Sequence, residues 1–374
     1  MADGGGIRGL SSLYILREIM RRLNAKLNGS GQQSVEVSPW QVFDMICGTS
    51  TGGLIAIMLG RLHMSVEDTI KAYVSLSRSI FSETKWPWKE GKFKASLLER
   101  AVKMTVGANT PPGTQALEVD KITERDRDEL VKRGQTVMMA NSDQSADTCP
   151  TYVLTTPFVV ALLTIPHSFV CAVRADAASD AWHFRTYDVV ENASPKCTIW
   201  RAARATSAAP SFFKPAIIDQ EGLLARYLDG GVGFNNPTVQ LLNEAAQQFP
   251  GRPVCCILSL GTGHRDVIRL RPAGGIPKLQ LLGIVGVLKG IATDCEETHN
   301  LLARRFQDSD VYHRFNVEQG LQGVGLEEWK RLSRVQAHTA AYTRRVQVNS
   351  DINTVVEKII ARRGGMTIET ANGQ

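Results

Sequence analysis

Gly48-Thr49-Ser50-Thr51-Gly52 constrains this chain more than any other stretch, because of what flanks it. Val42 to Cys47 is mostly apolar and suits a buried strand, while Leu54 to Leu59 suits a buried helix. A strand that passes directly into a helix through G-x-S-x-G must turn very sharply. Side chains at Gly48 and Gly52 would collide there, which is the physical reason for a glycine two residues either side of the serine. Ser50 would stand exposed at the tip, at a helix N-terminus. There the Thr51 N–H and the positive end of the helix dipole can stabilise developing negative charge. The bare five residues also fit an ordinary glycine-rich turn; the strand and helix context favours the elbow.

A second glycine cluster, Asp3-Gly4-Gly5-Gly6-Ile7-Arg8-Gly9, precedes a segment, Leu10 to Leu27, with apolar residues at helical spacing. A glycine-rich loop feeding a helix presents several backbone N–H groups in one direction and can hold a phosphate or an oxyanion. Gly4, Gly6 and Gly9 also satisfy G-x-G-x-x-G. A dinucleotide site would need a strand before the loop, and only two residues precede Asp3.

The length of 374 residues suffices for one large α/β domain or two smaller ones. The net charge of +6 is spread along the chain without a Lys/Arg block, so it argues for neither nucleic acid nor an anionic membrane. The seven cysteines lie mostly in apolar runs with no C-x-x-C pair, which reads as reduced core residues in a cytoplasmic protein. No secretory leader is evident at Met1-Ala2-Asp3. Tyr152 to Val173 carries no charged residue and is about long enough to cross a bilayer, but Pro157, Pro166 and His167 interrupt it. A buried strand at Phe169–Val173 behind an irregular apolar insertion is the better reading.

Elsewhere, Ser65 to Phe81 reads as a helix with Ser65 and Asp68 at capping-box spacing, and Ala95 to Val106 as another. Between them Lys85-Trp86-Pro87-Trp88-Lys89 continues to Phe93-Lys94. Lys85, Trp86, Trp88 and Lys89 could meet a lipid headgroup layer; the alternative packs the rings inward beneath a solvated basic loop. Thr136–Ala140, Phe169–Val173 and Trp182–Tyr187 have strand character. Ile199 to Ala209 is rich in small residues and suits a closely packed helix. Asp229 ends a short strand before Gly230-Gly231, and Pro237 suits the first turn of a helix to Gln248. Val254–Leu260 reads as a strand. The remainder beyond Pro277 reads as mainly helical, with Asp351 capping a last helix to Arg362.

Four strings in order, Asp-Gly-Gly-Gly-Ile-Arg-Gly at 3–9, Gly-Thr-Ser-Thr-Gly-Gly at 48–53, Arg-Ala-Thr-Ser-Ala-Ala-Pro at 204–210 and Asp-Gly-Gly at 229–231, closely resemble patatin-like phospholipases. The resemblance implies a three-layer α/β/α fold with a central, largely parallel sheet. Residues 3–237 would be the acyl-hydrolase region, and 238–374 would complete the same domain with a strand and helices. It implies a Ser–Asp dyad, with Ser50 as nucleophile and Asp229 as general base, an oxyanion loop of Gly4, Gly5, Gly6 and Arg8, and no metal or other cofactor. Phospholipids or acylglycerols would be the substrates, reached by transient contact with a membrane surface; nucleic acid is not an implied partner. The family pattern also places a strand before the glycine loop. With only Met1-Ala2 before Asp3, that loop is expected to lack its outer anchor. The apolar stretch 152–168 is longer than the strand connection the pattern needs.

The implied chemistry is sound on general grounds: serine attack on an ester carbonyl, proton transfer to aspartate, and release of the acyl group by water. An aspartate with an ordinary pKa of about 3.9 is a weak base for a hydroxyl, so the site must raise it or stabilise the alkoxide as it forms. Three other functions compete. A Ser-His-acid triad would recruit His264, the histidine that follows Gly261-Thr262-Gly263. A catalytically silent lipid-binding or signalling module would keep the fold alone. An acyltransferase would pass the acyl group to an acceptor other than water.

Overall fold

The computed structural model describes residues 1–28, 36–86, 90–110, 123–140, 166–189, 193–264 and 295–373. The main sheet contains β1 (Met45–Thr49), β2 (His167–Arg174), β3 (Ala177–Arg185), β4 (Ala216–Gln220) and β5 (Leu223–Asp229). β2 is buried from Ser168 to Val173, as its uncharged sequence requires of a strand covered on both faces. Its side chains alternate. Val170 and Ala172 join Ile46 in the large core, whereas Phe169 and Cys171 pack with Cys47 and Leu241 on the opposite face.

The register along β2 positions the site. On one edge β2 pairs antiparallel with β3, Phe169 opposite Arg185 and Val173 opposite Ala181. Two strands share the other edge end to end. β1 runs parallel as far as Thr49 opposite Cys171, and β5 runs antiparallel from Tyr227 opposite Arg174 to Asp229 opposite Ala172. The C-terminal ends of β1 and β5 therefore meet at adjacent positions of β2, and Ser50 emerges beside Asp229.

Beyond β1 the sheet continues through the start of the chain. Ala2 N–H donates to Cys47 O at 3.0 Å and Thr49 N–H to Ala2 O at 3.2 Å. On the other side Leu260 N–H donates to Met1 O at 3.1 Å and Asp3 N–H to Leu260 O at 3.0 Å. Met1–Asp3 thus fills the slot between β1 and β7 (Ile257–Leu260), which follows a short β6 (Pro253–Val254) and pairs in parallel with β8 (Tyr312–Phe315). The expectation of an unanchored glycine loop is overturned. Three residues suffice because both neighbouring strands bind their backbone. The sheet is also mixed, where the resemblance implied a largely parallel one: β3, β4 and β5 all pair antiparallel.

The helices that matter to the site are α1 (Gly9–Asn28), α2 (Pro39–Val42), α3 (Thr51–Ala56), α4 (Val66–Phe81), α5 (Ala95–Ala108), α6 (Glu124–Thr136), α7 (Ile199–Thr206) and α8 (Thr238–Gln248). Ser65 caps α4 by accepting the Asp68 N–H at 3.1 Å. Three readings of the sequence change. Thr136–Ala140 is the end of α6 followed by a single bridge, Met138 to Thr198, not a strand. Val254–Leu260 is broken into β6 and β7. The helix expected to start at Asp351 begins at Val346, because Val348, Ile352, Val355, Val356 and Ile359 form one buried stripe; Asp351 lies on its outer side and accepts from Gln347 Nε2 at 2.8 Å. Of the apolar insertion, 152–165 lies outside the described residues. Among the described residues no helix is long and apolar enough to cross a membrane.

Candidate active site

Ser50 has φ 57° and ψ −125°, a conformation that costs a non-glycine residue strain and is held only where its surroundings impose it. Those surroundings are backbone. A Cβ on Gly48 would lie 2.0 Å from Gly52 O, and one on Gly52 would lie 2.2 Å from Ala2 O. The first glycine is therefore needed for the turn itself and the second for the neighbouring strand, not for a mutual side-chain collision. Ser50 N–H donates to Thr206 Oγ1 at 2.9 Å, and that hydroxyl donates to Cys171 O at 2.6 Å, so α7 ties the elbow to β2. The small residues of α7 permit this approach; a Cβ on Gly53 would touch the Thr206 side chain at 2.8 Å.

Ser50 Oγ donates to Asp229 Oδ2 at 2.7 Å. Asp229 is only 3% exposed, and its Oδ1 accepts the Gly231 N–H at 2.7 Å, which fixes the plane of the carboxylate. Gly230 is required by β2, since its Cβ would fall 2.5 Å from Cys171 O. Thr49 Oγ1 donates to Phe234 O at 2.8 Å, joining the elbow to the turn that follows Asp229.

The glycine loop lies across from this pair, and each of its carbonyls is taken, two of them from outside the loop and one by Arg8. Gly4 O accepts from Thr262 Oγ1 at 3.0 Å and from Asn235 Nδ2 at 3.3 Å. Gly5 O accepts the Arg8 N–H at 3.2 Å and Arg8 Nε at 3.5 Å; Gly6 O accepts from the Tyr73 hydroxyl. In a planar trans peptide the carbonyl of one residue and the N–H of the next point in opposite directions. Holding the Gly4 and Gly5 carbonyls therefore aims the Gly5 and Gly6 N–H groups the other way. Gly5 N–H reaches Thr51 Oγ1 at 3.2 Å, Gly4 N–H is spent on Asn235 O at 3.2 Å, and Gly6 N–H has no acceptor among the described residues. Gly6 must be glycine twice over, with φ +57° and Leu326 O only 2.2 Å from where a Cβ would sit.

Ser50, Thr51 and Gly6 border a narrow cleft whose walls are mostly apolar, including Leu54, Leu76, Ile80, Leu98 and Phe213. A hydroxyl paired with a buried carboxylate at the edge of such a cleft can attack an acyl carbonyl whose chain lies in the cleft. The basic aromatic loop is stitched to this rim, Lys92 N–H to Ser211 O at 2.8 Å and Phe93 N–H to Phe212 O at 2.9 Å. Its rings divide: Phe93 is buried and Trp86 is 66% exposed, while Trp88 and Lys89 lie outside the described residues. Lys85 folds back on its own loop, with Nζ donating to Glu90 O at 3.0 Å. His264 N–H donates to Val317 O at 3.1 Å, and among the described residues its side chain makes no hydrogen bond to Ser50 or Asp229. Sequence reasoning missed Thr206, Asn235, Thr262 and Leu326. Thr206 and Thr262 sit inside strings already noted, whereas nothing in the sequence marks Leu326.

The chain belongs to the patatin-like phospholipase family, whose model matches residues 1–242. It is 27% identical over 327 residues to the calcium-independent phospholipase A2-gamma of Mus musculus, covering 84% of this chain and 34% of that one. It is 28% identical to phospholipase A I of Arabidopsis thaliana, covering 73% and 21%, and 26% identical to patatin-like protein 2 of the same plant, covering 70% and 58%. The chain thus spans about a third of the length of the mouse relative.

Proposed function

We propose that this protein is a lipid acyl hydrolase that cleaves fatty-acyl esters of phospholipids or acylglycerols through a serine acyl-enzyme. The observation that carries this reading is the 2.7 Å hydrogen bond from Ser50 Oγ to the buried Asp229 carboxylate, at the edge of an apolar cleft. Ser50 attacks the ester carbonyl while Asp229 takes its proton. The oxyanion that forms is held by N–H groups at Gly6 and Thr51, with Gly5 joining if its bond to the Thr51 hydroxyl yields to the substrate. Asp229 returns the proton to the leaving alcohol; in the second half it draws one from the attacking water and passes it to Ser50 Oγ as the acyl–oxygen bond breaks and the fatty acid leaves. The acyl chain occupies the cleft lined by Leu54, Leu76 and Ile80. Trp86, outward on a loop stitched to the cleft rim, supports transient contact with a lipid surface.

The test is a panel of phospholipids and acylglycerols, presented as vesicles and beside a soluble short-chain ester, with wild type and Ser50→Ala. Hydrolysis should fall by roughly 10⁴-fold or more in Ser50→Ala, since among the described residues lining the cleft Ser50 is the hydroxyl bonded to a buried carboxylate. A Ser50→Ala protein that retains wild-type turnover ends the dyad reading.

A further inference from the structure

Arg314 lies in β8, with Ser259 of β7 as its register partner, and its side chain is 3% exposed. Nη1 donates to Ser259 Oγ at 2.9 Å. Nη2 bridges two carboxylates, Asp3 Oδ2 at 2.8 Å and Glu296 Oε1 at 3.0 Å. Asp3 is itself 1% exposed and stands immediately before Gly4-Gly5-Gly6. Burial opposes a charge at Arg314, but the facing Asp3 and Glu296 carboxylates outweigh it and keep the guanidinium protonated; burial pushes the Asp3 carboxyl up, and Arg314 pulls against that. Resting on the acyl-hydrolase reading above, we propose that Arg314 is a positioning residue for catalysis: through Asp3 it sets where the glycine loop holds its N–H donors.

Three features lead from the ion pair to the loop. Asp3 has its backbone fixed to Leu260 and its carboxylate fixed to Arg314, so the peptide entering Gly4 is clamped at both main chain and side chain. Glycines have no side chain of their own to resist movement, so the loop's position is only as defined as its anchors. An oxyanion donor must be placed within about 0.5 Å to be effective. Arg314 also lies outside residues 1–242, so the family match does not contain it.

The experiment measures kcat and KM on one soluble activated ester for Arg314→Lys, Arg314→Met, Asp3→Asn and the double variant Asp3→Asn/Arg314→Met, with urea unfolding of each. Arg314→Lys is the primary variant, because an ammonium can still pair with Asp3 but cannot bridge Asp3, Glu296 and Ser259 together. It should fold, with kcat lower by about 10-fold or more and KM within about threefold of wild type, as expected when only oxyanion stabilisation is lost. Asp3→Asn should lose a similar factor, and the double variant should be no worse than the poorer single, because both act through one contact. Two results overturn the proposal. One is an Arg314→Lys protein with reduced stability but kcat within twofold of wild type; the other is losses that multiply in the double variant. If Ser50→Ala is as active as wild type, the acyl-enzyme reading itself has failed. An inactive Ser50→Ala beside a fully active Arg314→Lys refutes only the role of Arg314.

Discussion

The elbow and the glycine loop face each other across the same cleft, yet they are held in different ways. The elbow is fixed by backbone crowding close to it: Gly48 against Gly52 O, Gly52 against Ala2 O. The glycine loop is fixed largely by separate hydrogen bonds and an ion pair, from Tyr73, Asn235, Thr262, Arg8 and, through Asp3, Arg314, with only Gly6 also pressed on backbone at Leu326 O. A sterically fixed turn resists change until it fails outright. A turn held by separate hydrogen bonds and ion pairs can loosen by degrees, so its variants should report on rate before they report on folding.

The largest expected effect breaks the steric side. Gly48→Ala places a methyl 2.0 Å from a backbone oxygen that has nowhere to go, because Gly52 is itself pressed against Ala2. Destabilisation should exceed about 4 kcal/mol, the range in which point changes become diagnostic of a single gross clash. Urea unfolding or recovery of soluble protein checks it; a normal midpoint would show that the elbow yields and that the contrast with the loop is false.

A smaller effect separates ionic from steric support by pH. Glu244 on α8 accepts from Arg185 Nε at 2.6 Å, from the Tyr187 hydroxyl at 2.6 Å and meets His183 Nδ1 at 2.9 Å, tying β3 to the helix that follows the Asp229 turn. Burial pushes the Glu244 carboxyl up, but the bonds from Arg185 and His183 prevail and hold it at about 2, below its ordinary 4.5. The unfolded chain therefore takes up this proton first as pH falls. The stability contributed by Glu244 is fully present above about 4.5 and is lost as pH drops from there toward about 2. Glu244→Gln, which leaves Arg185 buried beside a neutral partner, should cost about 3–5 kcal/mol at pH 7. Across that acid window its unfolding midpoint should fall less steeply than that of wild type. Parallel curves for the two proteins would mean that the cluster is not the acid-sensitive support.

The same difference explains what could be read in the sequence. The elbow was legible because strand, turn and helix are contiguous, so Gly48 and Ser50 declare their geometry within one short string, whereas the need for Gly52 comes from Ala2 beside it. Asp229 was legible only by resemblance. Its meeting with Ser50 depends on β1 and β5 sharing one edge of β2, a tertiary pairing that no local pattern encodes. The loop's glycines were evident, but the partners of their carbonyls were not, since Thr262 and Asn235 are ordinary residues until the fold brings them to Gly4. Met1–Asp3 was misjudged for a related reason: strand propensity over three residues says nothing, and the backbone hydrogen bonds exchanged with Cys47, Thr49 and Leu260 decide the matter. In the basic aromatic loop Phe93 is buried and Trp86 exposed, an arrangement set by its backbone bonds to Ser211 and Phe212, which no local pattern encodes.

The smallest effect on stability should come from a single bond of the loop. Thr262→Val keeps the shape of a side chain that is 4% exposed and removes only the hydroxyl that donates to Gly4 O at 3.0 Å. Asn235 Nδ2 still reaches that oxygen at 3.3 Å, so the carbonyl is not orphaned and the loss of stability should be about 1 kcal/mol. The rate should respond more. With one of its two holders gone, the Gly4–Gly5 peptide can rotate, and the Gly5 N–H swings with it because carbonyl and N–H share one plane. We expect kcat on a soluble ester to fall by about 10-fold, less than the roughly 10²–10³-fold that follows complete loss of an oxyanion donor. The Ser50–Asp229 hydrogen bond does not involve Thr262, so the pH dependence of kcat should keep its wild-type shape. A Thr262→Val protein with unchanged kcat would place the Gly5 N–H outside the oxyanion site and leave that task to Gly6 and Thr51. A loss of stability with no loss of rate would make the loop as rigid as the elbow and remove the distinction between them.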